Sequence, residues 1–86
     1  MNTIFKYTLE PMRKQYIKMP AGARILSVQG QHDKVAIWAL VETGINEIRC
    51  FTTYITGAEL PADPGTYIGT AQLHNGATVI HVFEEK

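Results

Sequence analysis

The residues able to do chemistry are few. The 86-residue chain has three histidines (His32, His74 and His81), one cysteine (Cys50) and one serine (Ser27). Ser27 lacks a surrounding Gly-x-Ser-x-Gly, so no nucleophile elbow is present. Cys50 sits in a β-branched and aromatic run, where a lone cysteine serves packing. His74 and His81 fall on one face of a hairpin, but roughly 13 Å of strand separates them, too far for a shared ion. No two carboxylates are spaced for acid–base work, and no phosphate-cradling glycine loop or dinucleotide fingerprint occurs. The expectation is a protein that is not an enzyme and holds no metal and no cofactor.

Binding chemistry is better represented. Trp38, Tyr54 and Tyr67 offer aromatic faces on which a base would stack. Thr70, Gln72 and His81 offer hydroxyl, amide and imidazole groups that would fix its orientation, and Arg24 or Arg49 would pair a phosphate at the rim. These eight residues predict a site for a flat, polar, small anionic ligand such as a nucleotide. Trp38, Leu40, Ile68 and Phe83 are the residues expected at a contact between copies of the chain. The site would lie at that contact.

The elements that must position these groups read as strands. Val35–Val41 has no polar residue on either parity: Val35, Ile37, Ala39 and Val41 point one way, Ala36, Trp38 and Leu40 the other. Such a strand needs cover on both faces. Thr3–Leu9 alternates with Phe5, Tyr7 and Leu9 on one side, and Gln15–Met19 with Ile17 and Met19 inward and Tyr16 and Lys18 outward. Pro20-Ala21-Gly22 is a turn, and Ala23–Gln29 sets Leu26 and Val28 against Ile25, Ser27 and Gln29. Glu47–Thr56 is a further strand, followed by a long, proline-stiffened loop at Gly57–Gly65. His74-Asn75-Gly76-Ala77 is a hairpin signal. With a two-residue turn, Gln72 faces Val79, Thr70 faces His81 and Ile68 faces Phe83, while Tyr67, Gly69, Ala71 and Leu73 lie on the core side. Pro11–Gln15 has room for one short helical turn. The prediction is a single all-β domain over residues 1–86, a small antiparallel barrel or sandwich of about six to seven strands.

Size and charge narrow the partners. A chain this short buries only about two-thirds of its unfolded surface, so its core is thin and self-association would help it. Residues 1–24 carry Lys6, Arg13, Lys14, Lys18 and Arg24 against Glu10, a net of +4, and the remainder carries −4. Tyr16 with Arg13, Lys14 and Lys18 is a miniature of a nucleic-acid patch, but formal net charge is zero and a lysine-guarded edge strand explains it better. Nucleic acid is therefore not an expected partner. The single cysteine precludes an internal disulfide and suits a reducing compartment. Met1–Lys6 has no signal-peptide pattern, and no apolar run approaches bilayer length. A soluble, cytoplasmic protein that makes no membrane contact is expected.

Four blocks carry a resemblance. Met19-Pro20-x-Gly22-Ala23-x-Ile25-Leu26-Ser27-Val28-Gln29, Trp38-Ala39-Leu40-Val41, Tyr67-Ile68-Gly69-Thr70 and His81-Val82-Phe83-Glu84 occur in that order. The whole resembles an uncharacterised family of small phage and prophage proteins. The segment between Gln29 and Val35 departs from the Asn-Gly turn expected there. The resemblance implies a phage accessory protein acting inside a bacterial host cell. By analogy, such a protein would sequester a nucleotide signal of antiviral defence. The alternative is an interaction module that inhibits or adapts a host or phage protein through an apolar surface.

Overall fold

Alternating and β-branched sequence forms strands, and turn chemistry ends them. The computed structural model describes residues Met1–Lys86. It has β1 (Asn2–Leu9), β2 (Lys14–Pro20), β3 (Arg24–Gln31), β4 (Lys34–Glu42), β5 (Asn46–Ile55), β6 (Thr66–Leu73) and β7 (Thr78–Glu85). All pairings are antiparallel and form two sheets, β1-β4-β3 and β2-β5-β7-β6, stacked as an open sandwich and not closed into a barrel. No helix forms at Pro11–Gln15. Lys14 and Gln15 enter the ladder opposite Thr52 and Phe51, so only a turn remains at Pro11–Arg13.

The core lies between the sheets. Leu9, Val35, Ile37, Ala39 and Val41 of the first meet Met19, Phe51, Ala71, Leu73, Ile80 and Val82 of the second. Only 16 residues are buried, so the core is as thin as the chain length implies. β4 gains full cover on one face alone. On its other face Ala36 lies beneath a hydrogen bond from Lys6 Nζ to Gln31 Oε1 (2.8 Å), while Trp38 is half-buried and Leu40 is 37% exposed.

The sandwich is tight along one side and open along the other. At the tight side β3 meets β6 through two glycines. A methyl at Gly30 would collide with the Gln72 carbonyl, and one at Gly69 would stand 2.8 Å from Val28 Cγ2. β3 and β6 also carry the two β-bulges, at Leu26 and Ile68, where an extra residue bends and twists the strand. Opposite, β1 and β2 diverge around a cleft of about 540 Å³ lined by Phe5, Tyr7, Lys18 and Met19. Partial burial at this opening raises the Tyr7 phenol above its ordinary pKa.

The bulges correct the expected faces, because one extra residue exchanges every side chain beyond it. From Leu73 to Gly69 the hairpin register is the predicted one. Beyond the bulge Tyr67, not Ile68, pairs with Phe83. Ile68 turns inward onto the core and Tyr67 turns out, 56% exposed. In β3, Ile25 and Val28 share the core face while Leu26 is exposed. Ile68 therefore does not share the outer face with Phe83.

Both tight hairpins use left-handed backbone. Between β6 and β7, His74, Asn75 and Gly76 are all left-handed (φ 53°, 55° and 86°) and Ala77 is right-handed, its N–H donating to the His74 carbonyl at 3.1 Å, so four residues join Leu73 to Thr78 where the sequence predicts a two-residue turn. The β3–β4 turn is the two-residue one, with His32 and Asp33 at φ 53° and 57°. Asp33 Oδ1 accepts a hydrogen bond from the His74 N–H at 3.0 Å, tying the two tips together.

Candidate ligand-binding face

The outer face of the four-stranded sheet gathers most of the polar aromatic chemistry. Register sets Tyr54, His81 and Thr70 in one row and Thr52, Phe83 and Tyr67 in the next, with Gln72 beside Val79 beyond them. Strand alternation points all of these away from the core. One hydrogen-bonded chain links them. Thr56 Oγ1 shares a hydrogen bond with His81 Nε2 (2.7 Å), His81 Nδ1 with Thr70 Oγ1 (3.1 Å), and Thr70 Oγ1 with the Tyr67 hydroxyl (2.5 Å). Both imidazole nitrogens are thus committed, which fixes the ring plane. Phe83 is held edge-on between Tyr54 (centroids 5.8 Å apart) and Tyr67 (5.5 Å).

Two shallow clefts flank Tyr54. One, about 300 Å³, is bounded by Thr56, Leu60, His81 and Phe83, with the Gly57–Gly65 loop as its outer wall. The other, about 240 Å³, lies against Met12, Arg13, Thr52 and Ala58. Tyr54 and Ile55 line both, so they form one continuous surface. No carboxylate lines either cleft.

The eight predicted binding residues divide among three places. Tyr54, Tyr67, Thr70, Gln72 and His81 share the face just described. Trp38 and Arg24 stand on the outer face of the three-stranded sheet with Leu40, across the core from it. Arg49 is on the inner side of β5, where its Nε and Nη2 donate to the Glu84 carboxylate at 2.6 and 2.8 Å, and Nη1 donates to the Ala23 carbonyl. Its side chain is only 17% exposed, and the hydrogen bond to Glu84 raises its pKa further above the ordinary guanidinium value. Arg49 is thus fully engaged within the chain. No single pocket holds all eight residues: two chains could bring the two outer faces together, but Arg49 would stay inside its own chain. Of the expected contact residues, Trp38 and Leu40 are together, while Phe83 lies on the opposite face and Ile68 inside.

Three contributors escape sequence reading. Thr56 follows β5 and joins His81 only because its N–H donates to the Val79 carbonyl (3.2 Å). Met12 and Arg13 reach Tyr54 because the β1–β2 turn folds back over β5. That turn is fixed by Thr53, 1% exposed, whose hydroxyl donates to the Glu10 carbonyl (2.7 Å) and accepts from the Arg13 N–H (3.1 Å). A threonine on the core-facing side of β5, between Phe51 and Ile55, is the one signal in sequence that something docks there.

At the far margin of the same face, Glu85 Oε2 accepts from Thr52 Oγ1 (3.1 Å) and meets Lys14 Nζ at 3.4 Å. The Thr52 hydrogen bond, then Lys14, hold the Glu85 carboxyl below its usual range. Burial, reinforced by Glu85, pushes the Cys50 thiol upward, the wrong direction for a nucleophile.

Taken together, the strands define a two-sheet antiparallel β domain with an aromatic, hydrogen-bonded outer face. The chain belongs to a family described as a domain of unknown function, DUF7352, whose model matches residues 1–86. No curated protein and no solved structure matches it. No helix is long and apolar enough to cross a membrane.

Proposed function

We propose that this protein is a non-enzymatic binder of a flat, anionic small molecule of nucleotide type, taken up on the outer face of the four-stranded sheet. The observation that carries this reading is the Thr56–His81–Thr70–Tyr67 chain beside the T-shaped cluster of Tyr54, Phe83 and Tyr67. Hydroxyl and imidazole groups already oriented by one another lose little freedom when a ligand binds, and aromatic walls suit a planar base. The phage-like sequence pattern supplies a setting: an accessory protein in the bacterial cytoplasm that captures a nucleotide signal of host defence, a task that needs affinity and no chemistry. Copies associate through Trp38 and Leu40, which the single chain covers only in part.

A thermal-shift screen of ligand-stripped protein with linear and cyclic nucleotides tests this. Binding stabilises by mass action, about 2.7 kcal/mol at a hundredfold excess over Kd, so at least one compound raises Tm by several degrees. Flat curves across the panel sink the proposal.

A second reading rests on the three-stranded sheet. Ile4 (55% exposed), Leu26 (42%) and Leu40 (37%) surround Trp38 on one outer face. Such a patch suits an interaction module that inhibits or adapts a host or phage protein. Solution molar mass separates the readings. A multiple of the chain mass assigns the patch to self-association, and the mass of one chain leaves it for another protein.

A further inference from the structure

We propose that Arg13 is the anion seat of this face, and that the ligand carries one singly charged phosphodiester rather than a polyphosphate. This rests on the reading of the four-stranded sheet as the binding face. Arg24 and Arg49, the cations that sequence suggests, lie across the core or inside it. Arg13 is the only charged residue lining either cleft beside Tyr54.

Three features fit Arg13 to that task. Its guanidinium has no carboxylate within ion-pair distance and no hydrogen bond within the chain, whereas Arg49 is paired with Glu84 and Lys14 with Glu85. Its backbone, by contrast, is clamped. The Arg13 N–H donates to Thr53 Oγ1 (3.1 Å), and its carbonyl accepts from the Thr53 N–H (3.1 Å) and from Gln15 Nε2 (3.1 Å). Met12, beside it, is 61% exposed and held at φ 57°, a conformation disfavoured for an unbranched apolar residue. The clamped backbone fixes where the side chain starts, and the unengaged guanidinium has no internal ion pair or hydrogen bond to give up when it meets an anion.

The charge of the ligand follows from counting. One unpaired cation, Arg13, lines the cleft on one side of Tyr54, the next, Lys14, is paired with Glu85, and no carboxylate lines either cleft. A triphosphate would bring three or more charges to one partner. A phosphodiester brings one and presents two oxygens to the planar guanidinium fork. With the phosphodiester at Arg13, Tyr54 lies between it and the second cleft, so the base stacks on Tyr54 and turns its polar edge toward Thr56 and His81.

Calorimetric titration tests the assignment with 3′,5′-cyclic mononucleotides of the four bases, the matching nucleosides and the matching 5′-triphosphates. At least one cyclic nucleotide should bind, its nucleoside at least tenfold more weakly and its triphosphate no more tightly. Arg13→Gln, which keeps every backbone contact, should reduce the cyclic nucleotide to the level of the nucleoside while leaving Tm unchanged. Arg13→Lys should recover part of the loss. Cyclic-nucleotide binding that Arg13→Gln leaves intact overturns the anion seat but spares the face. Tighter binding of the triphosphate overturns the single-charge assignment. Binding by none of the three classes overturns the face reading, and this inference with it.

Discussion

The two outer faces of this sandwich share one core and differ in almost everything else. On the three-stranded sheet, Ile4, Leu26, Trp38 and Leu40 form a surface whose only side-chain hydrogen bond runs from Lys6 to Gln31. Across the core, the four-stranded sheet carries a continuous chain from Thr56 to Tyr67 with three aromatic rings packed in T-shaped contacts. An apolar face gains from any cover and selects by shape. A face of oriented hydroxyls and imidazole selects by hydrogen-bond pattern, because a mismatched partner leaves polar groups unpaired. The first therefore suits a broad contact between chains, and the second a small ligand.

The largest expected effect abolishes both faces at once. Gly30→Val drives β3 from β6 at the seam and should cost about 3 kcal/mol or more, read from the urea midpoint. Gly69→Ala brings its methyl to 2.8 Å from Val28 Cγ2 and 2.9 Å from Val28 Cβ, which the β3 backbone holds in place, but it adds one carbon rather than three and meets no backbone atom, so its cost should be smaller, about 1–2 kcal/mol. Equal losses would show that the seam does not depend on backbone contact.

Arg49→Met removes one partner of a mostly buried pair that belongs to neither face. It should cost about 2–3 kcal/mol, less than a fully buried pair, and the double variant with Glu84→Leu should recover part of this. Ligand affinity per folded molecule should not change. A selective loss of binding would return Arg49 to the site.

Two smaller experiments set the faces directly against each other. Leu40→Asp should lower the molar mass of an associated protein to that of one chain and leave ligand binding alone. Thr70→Val should weaken binding several-fold and cost about 1–2 kcal/mol in stability, since Thr70 Oγ1 bonds both the Tyr67 hydroxyl and His81 Nδ1. If Leu40→Asp abolishes binding as well, the site lies between chains and the faces are not independent.

The smallest effect is a pH dependence at the margin of the four-stranded sheet's outer face. The Glu85 carboxyl titrates below its ordinary value because Thr52 and Lys14 favour its charged form. Its contribution is therefore present above the unfolded carboxyl pKa of about 4.5 and is lost as pH falls through the lower, folded value. Glu85→Gln should be slightly less stable than the parent at pH 7, with the gap closing in acid. A constant gap from pH 7 to 3 would show that the carboxylate does not act through its charge.

Much of this fold is legible in the sequence because strand and turn signals are local. Seven strands and the register from Leu73 to Gly69 follow from alternation and Asn75–Gly76. The association of Tyr54, Thr70 and His81 needs only that register and the β5–β7 pairing. The positions of Tyr67 and Ile68 were not legible. A bulge depends on how β6 must bend to meet β3, and nothing beside Ile68 announces it.

Sequence alone determined that the protein is all-β, thinly cored, and supplied with more apolar strand surface than one sheet interface covers, since these depend on side-chain type and period. Tertiary structure alone decided which residues keep company: Trp38 and Arg24 on one side, the hydroxyl–imidazole chain on the other, Arg49 sealed against Glu84, and Arg13 brought beside Tyr54. Those outcomes come from packing two twisted sheets across one core, where distant parts of the chain compete for the same space.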